Sequence, residues 1–152
     1  MEKLIKQFNE LTTRQLFDIY KLRSVVFVVE QNCPYQDVDD KDLEAYHVMF
    51  YEKNDLVAYS RILPPGHSYS APRIGRVVVS PDLRKADNGT KLMQFCLAKT
   101  NELFKDQEIV ISAQTYLLNF YTGLGFKAEG EEYLEDDIPH VKMKLSAGYK
   151  KV

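Results

Sequence analysis

Two stretches of the chain carry residue types that could do chemistry. In the first, a β-branched strand, Ile74-Gly75-Arg76-Val77-Val78-Val79, feeds a polar loop, Asp82 to Gly89, which opens an amphipathic helix. Such a junction gathers unpaired N–H groups and the positive end of a helix dipole at one place, which suits a phosphate. Arg84, Lys85 and Lys91 add side-chain charge there, although an ordinary surface turn with solvated basic residues has the same pattern. Gly89-Thr90-Lys91 lacks the spacing and order of a P-loop. The second stretch is Asn119-Phe120-Tyr121-Thr122-Gly123-Leu124-Gly125-Phe126. Leu117, Phe120, Tyr121 and Leu124 recur at helical spacing and can face a core, so the Tyr121 phenol either packs there or serves as a proton donor. Glu30, at the end of the first long helix, reads as a salt-bridging or capping residue before a general base. His47 and His140 lie in strand-like segments and read as hydrogen-bonded histidines before bases. Cys33, beside Pro34 in a loop, is not expected to be a nucleophile, and no Ser/His/Asp arrangement follows from the spacing.

The elements that must position these residues follow from pattern. Leu4 to Phe8 reads as a first strand, and Thr12 with Gln15 three positions on is a capping box opening a helix whose apolar period runs to about Val28. Asn32 to Asp42 is a loop. Tyr46 to Tyr51 and Leu56 to Leu63, separated by Glu52-Lys53-Asn54-Asp55, have the form of a hairpin. After a Pro/Gly-rich loop come the Ile74 to Ser80 strand, the polar turn, and a helix in which Leu92, Phe95, Cys96 and Leu103 share one face. Glu108 to Ala113 is a strand, Thr115 to Leu124 a short helix ended by Gly125, and Lys127 to Tyr133 and His140 to Leu145 are two more strands. The order β-α-β-β-β-α-β-α-β-β predicts an α/β or α+β fold with one sheet of mixed direction.

Composition limits the function classes. The chain has 152 residues, the size of one domain, residues 1–152, at roughly 150 residues each. Its 20 basic and 22 acidic residues leave a net charge of -2, too balanced for nucleic acid to be held by charge alone. An apolar fraction of 45% can fill a core and argues against disorder. Cys33 and Cys96 form no CxxC pair, so both are expected to be reduced thiols and no metal site is expected. No apolar stretch of signal-peptide or membrane-spanning length occurs, so a cytoplasmic protein with no membrane partner is expected. The charge is uneven. Arg73 to Lys91 holds five basic residues against Asp82 and Asp87, whereas Glu129 to Asp137 holds six acidic residues and no basic one. Asp37 to Glu44 adds five acidic residues against Lys41. These acidic runs are either solvated loops or a field that draws a cationic amine.

Several blocks in order resemble the GNAT superfamily of N-acetyltransferases, most closely its ElaA-like branch. They are Leu22 to Asp39, with Glu30-Gln31-Asn32-Cys33-Pro34-Tyr35-Gln36-Asp37 at its centre; Ile74 to Val79; Ile111-Ser112-Ala113-Gln114; Phe120-Tyr121 with Gly125-Phe126; and Tyr133-Leu134-Glu135-Asp136-Asp137-Ile138-Pro139-His140. The resemblance covers almost the whole length and implies a mixed central sheet, flanked by helices and splayed near its middle, with acetyl-CoA as acyl donor in the opening. It implies that the backbone of Val77, Val78 and Val79 pairs with the pantetheine arm and polarises the thioester carbonyl. Arg84, Lys85, Ala86, Asp87, Asn88, Gly89 and Thr90 would cradle the pyrophosphate. Asn119 would contact the cofactor, and Tyr121 matches the usual general acid. Glu30 and His140 are the candidates for the acceptor side. Asp87 departs from the family loop, standing where its first glycine is expected. Asp tolerates left-handed backbone angles, but its carboxylate near phosphates implies weaker cofactor binding. The activity implied is direct acetyl transfer to a primary amine of a small molecule or peptide, with no metal. The alternative is a non-catalytic acyl-CoA-binding or regulatory module of the same fold, and the family's habit of dimerising makes a homodimer a further expectation.

Overall fold

The computed structural model describes residues 1–66 and 69–148, the Lys85 side chain excepted. Seven strands form one sheet: β1 (Glu2–Gln7), β2 (Tyr46–Glu52), β3 (Asp55–Leu63), β4 (Arg73–Val79), β5 (Ile109–Gln114), β6 (Lys127–Glu135) and β7 (Ile138–Leu145), in the order β1-β2-β3-β4-β5-β7-β6. All neighbours are antiparallel except β4 and β5. The helices are α1 (Thr13–Arg23), α2 (Asn88–Leu103) and α3 (Leu118–Gly123). The expected mixed sheet flanked by helices is the observed one.

Strand alternation sends side chains to two cores. Val48 and Phe50 of β2 face one side, where they pack with Leu92, Met93 and Cys96 of α2 and Tyr121 of α3. Met49 and Tyr51 face the other, against Ile19 and Leu22 of α1. The capping box forms as expected: the Gln15 amide donates to Thr12 Oγ1 at 3.1 Å, and the Thr12 amide to Gln15 Oε1 at 3.0 Å. Beyond Arg23 the helix continues as a wider π-helix over Ser24–Glu30, with Glu30 as its last residue. Leu103, the last residue of α2, is 38% exposed, whereas Thr100 one turn earlier is fully buried.

Two features shape the centre of the sheet. The parallel strands β4 and β5 share one register pair, Arg73 with Val110, and then diverge. On its other side β4 carries a bulge against β3: Tyr59 pairs with Val78 but Arg61 with Gly75, and Arg76 takes left-handed angles with φ +49°.

The acidic stretch Asp37–Glu44 corrects an expectation. It is neither a solvated loop nor a cation-attracting field, because three of its aspartates are neutralised internally. Buried Arg23 donates from Nε to Asp37 at 2.7 Å and from Nη1 to Asp42 at 2.8 Å. Arg61 reaches Asp39 at 2.6 Å and Asp42 at 2.9 Å, and Arg76 on the bulge reaches Asp37 at 2.8 Å. His47 is fully buried beside them. Its Nε2–H donates to the Asp42 carbonyl at 2.8 Å, so Nδ1 accepts from the Tyr59 hydroxyl at 2.7 Å. Burial holds the His47 imidazole below its ordinary pKa, outweighing the hydrogen bond to Asp42. Burial alone would raise Asp42, but the hydrogen bond and charge of Arg23 and the charge of Arg61 hold it below the usual carboxylate range.

Both groups bind protons more readily in the unfolded chain, so their contribution to stability is lost as pH falls. Melting temperature is expected to decline first below about pH 6.5, as His47 protonates on unfolding, and again below about pH 4 with the aspartates. His47→Gln should remove the first decline only. Asp42→Asn leaves Arg23 and Arg61 short of a counter-charge and should cost about 3–5 kcal/mol in denaturant titrations.

Candidate functional site

The divergence of β4 and β5 opens a cleft of about 660 Å³. One wall is the β4 edge. β4 has no strand partner on that side beyond Arg73, and Val77, Val78 and Val79 line the cleft along this unpaired edge. Pro81–Ala86 forms a 3-10 turn, after which Asp87 adopts φ +59° and ψ 23° to start α2. This left-handed turn is the one glycine would serve, and Asp87 makes it with its carboxylate exposed. Since the Lys91 amide is the one that returns to the Asp87 carbonyl, at 3.2 Å, the N–H groups of Asn88, Gly89 and Thr90 are left without helical partners. Gly89 lines the cleft, and the Asn88 side chain is turned inward, donating to the Leu83 carbonyl at 3.1 Å.

Arg84 bridges the opening. Its guanidinium forms a two-armed pair with Glu30 at 2.5 and 3.0 Å, and its Nε donates to the Val79 carbonyl at 3.3 Å. Tyr121 lies on the cleft floor, buried edge-on between Phe120 and Phe126. Burial pushes its phenol well above the ordinary range, so it stays protonated at neutral pH.

The opposite wall joins two segments distant in sequence. Cys33 donates from Sγ to the Asp136 carbonyl at 3.4 Å, and the Tyr35 hydroxyl donates to Asp137. Asp136 and Asp137 are the two left-handed residues of the β6–β7 turn, φ +52° and +62°. Burial and the neighbouring Asp136 raise the Cys33 pKa, against nucleophilic use. His140 is buried and lines the cleft, with Nδ1 2.7 Å from the Ile138 carbonyl and Nε2 3.3 Å from Glu135.

The domain family described as "Acetyltransferase (GNAT) domain" matches residues 21–147. The chain belongs to the GNAT family. A UPF0039 protein of Schizosaccharomyces pombe is 46% identical over 147 residues, which cover 95% of this chain and 97% of that protein. The crystal structure of an acyl-CoA N-acyltransferase from Pseudomonas aeruginosa superposes with a TM-score of 0.91 at 40% identity, covering 95% of this chain and 99% of that one. Escherichia coli ElaA gives 0.90 at 40% identity, covering 96% and 100%. A GNAT fold and membership of an acyl-CoA-dependent transferase family are therefore established for this chain.

Of the residues singled out from sequence, Val77, Val78, Val79, Arg84, Gly89, Tyr121, Glu30 and His140 border one cleft. Ala86, Asp87, Asn88, Thr90 and the exposed Asn119 lie outside its lining, and the Lys85 side chain lies outside the described residues. Sequence reasoning missed Ser112 and Gln114, which face the cleft from β5. Ser112 bonds to the Tyr133 hydroxyl, and Gln114 Nε2 donates to Gln31 at 3.3 Å. Their signal was the polar residue at every second position of Ile111-Ser112-Ala113-Gln114.

A Cβ added at Gly89 would meet only Phe120, at 3.8 Å, an ordinary contact. Gly89→Ala should therefore leave the fold intact or stabilise it by up to about 1 kcal/mol. If phosphates approach this helix start, the same methyl group should weaken coenzyme A binding about tenfold, equivalent to about 1.4 kcal/mol. Calorimetric affinity unchanged by the substitution would exclude phosphates from the α2 terminus.

Proposed function

We propose that this protein transfers an acetyl group from acetyl-CoA to the primary amine of a small molecule or peptide. The observation that carries the reading is the unpartnered β4 edge running from the bulge to the start of α2. It offers main-chain groups to an extended amide-bearing arm at one end and unpaired N–H groups to phosphates at the other. The relative in Pseudomonas aeruginosa described as an acyl-CoA N-acyltransferase supports the same donor class.

The residues divide the work. Backbone N–H groups of Val77 to Val79 would orient the thioester carbonyl and stabilise charge on its oxygen. Asn88, Gly89 and Thr90 would hold the pyrophosphate through main-chain N–H groups. Ala86 and Asp87 would shape that turn. Arg84, once released from Glu30, and Lys85 would add positive charge, and Asn119 would lie along the cofactor's outer edge. A free alkylammonium has a pKa of about 10.4, so the site must remove a proton before the nitrogen can attack. A departing thiolate, with a pKa of about 8.5 by analogy with cysteine, takes a proton from Tyr121, whose apolar surroundings keep its phenol protonated. Glu135 and Asp136, which line the opposite wall, supply the negative charge for a cationic acceptor. Residues 1–152 would act as one domain.

Thiol release from acetyl-CoA across a panel of primary amines is expected to rise above hydrolysis with at least one amine. Binding of acetyl-CoA without turnover on any acceptor would instead identify a non-catalytic module. Tyr121→Phe should lower kcat about 10²-fold or more while leaving the calorimetric affinity for coenzyme A unchanged. Unaltered turnover would remove Tyr121 from the acid role.

A further inference from the structure

Resting on that reading, we infer that His140, paired with Glu135, is the general base that deprotonates the acceptor amine. The ring is fixed by its own strand. Nδ1 lies 2.7 Å from the Ile138 carbonyl, a group that only accepts, so Nδ1 carries the proton and Nε2 holds the lone pair of the neutral imidazole. Nε2 in turn lies 3.3 Å from the Glu135 carboxylate. Two acceptors at that distance lack a donor between them. A proton on Nε2 satisfies both, and so does an ammonium group that offers one N–H to each.

The surroundings supply direction as well as contact. Tyr133 stacks on the His140 ring with centroids 6.2 Å apart and is tethered through its hydroxyl to Ser112, which fixes the plane of the imidazole. Gln114 is its cross-strand neighbour on β5 and is bonded to Gln31. At the turn, Asp137 is engaged by Tyr35, Asp136 contributes its carbonyl to Cys33, and the Asp136 side chain lines the cleft. Across the opening, the Glu30 carboxylate is paired with both arms of Arg84 in the free protein. His140 with Glu135 is thus an acceptor-side pair in the cleft that lacks a donor and can take a proton.

In the step, Nε2 takes one proton from the ammonium and passes it to solvent, and the freed nitrogen lone pair forms the C–N bond at the thioester carbon. The C–S bond breaks, the sulfur takes a proton from Tyr121, and the proton shed by the acylated nitrogen restores the phenol.

The test combines two readouts. In the free protein, imidazole ¹⁵N spectra, assigned by difference against His140→Gln, should place the His140 proton on Nδ1; a proton on Nε2 in the neutral ring would overturn the inference. In the amine-dependent reaction, His140→Gln and His140→Asn should each lower kcat about 10²-fold or more, with coenzyme A affinity retained as evidence of an intact fold. The acid limb of kcat/KM against pH should move in both variants toward the ionisation of the free amine, and exogenous imidazole should restore part of the rate to His140→Asn. Variants that keep the wild-type acid limb, or wild-type kcat, would overturn the role of His140 while leaving acetyl transfer standing. A wild-type protein inactive with every amine would overturn the transfer reading itself and this inference with it.

Discussion

The separation of β4 from β5 after a single residue pair is the constraint on which the rest of the molecule depends. A continuous sheet would satisfy the backbone groups of both strands and leave no cleft. Because pairing stops at Arg73 and Val110, one edge of β4 is open along Ile74 to Val79 inside an otherwise seven-stranded sheet. An open edge inside a protein invites an extended partner, and the α2 terminus places anion-binding N–H groups where such a partner would continue. Sheet geometry and cofactor shape are thus two sides of one requirement.

Holding strands apart requires structure behind the gap. The Arg23–Asp37–Arg76 and Arg61–Asp39–Asp42 contacts link the end of α1, β3, the β4 bulge and the segment before β2 into one unit. Such a buried network contributes little net stability over an apolar replacement, since desolvation offsets most of the attraction. Its consequence is positional: it fixes Arg76 in the bulge and fixes the wall that carries Cys33 and Tyr35 onto the β6–β7 turn. The two sides of the cleft are built by different means, hydrophobic packing under α2 and α3 and charge pairing behind the wall that carries Cys33 and Tyr35.

Much of this was legible in the sequence because it is local. The Thr12/Gln15 box, the Tyr46 to Leu63 hairpin, the Gly125 stop at φ +103° and the left-handed Asp87 each depend on residues within a few positions. The order of family-like blocks correctly indicated the sheet and its helices. What the sequence concealed is long-range. Arg84 and Glu30 are 54 positions apart, and Arg76 and Asp37 are 39 apart. An acidic run that looks solvated gives no local sign that three arginines from separate elements will neutralise it. The contact of His140 Nδ1 with the Ile138 carbonyl is likewise fixed by the β6–β7 turn, not by any local pattern.

The most direct test of the central claim is the structure of the protein with acetyl-CoA bound. The account predicts the pantetheine arm laid along β4 with hydrogen bonds to the backbone between Val77 and Val79. It places the pyrophosphate against the N–H groups of Asn88 to Thr90, with Arg84 turned away from Glu30. A cofactor seated outside the β4–β5 opening, or one that leaves the β4 edge unpaired, would contradict it.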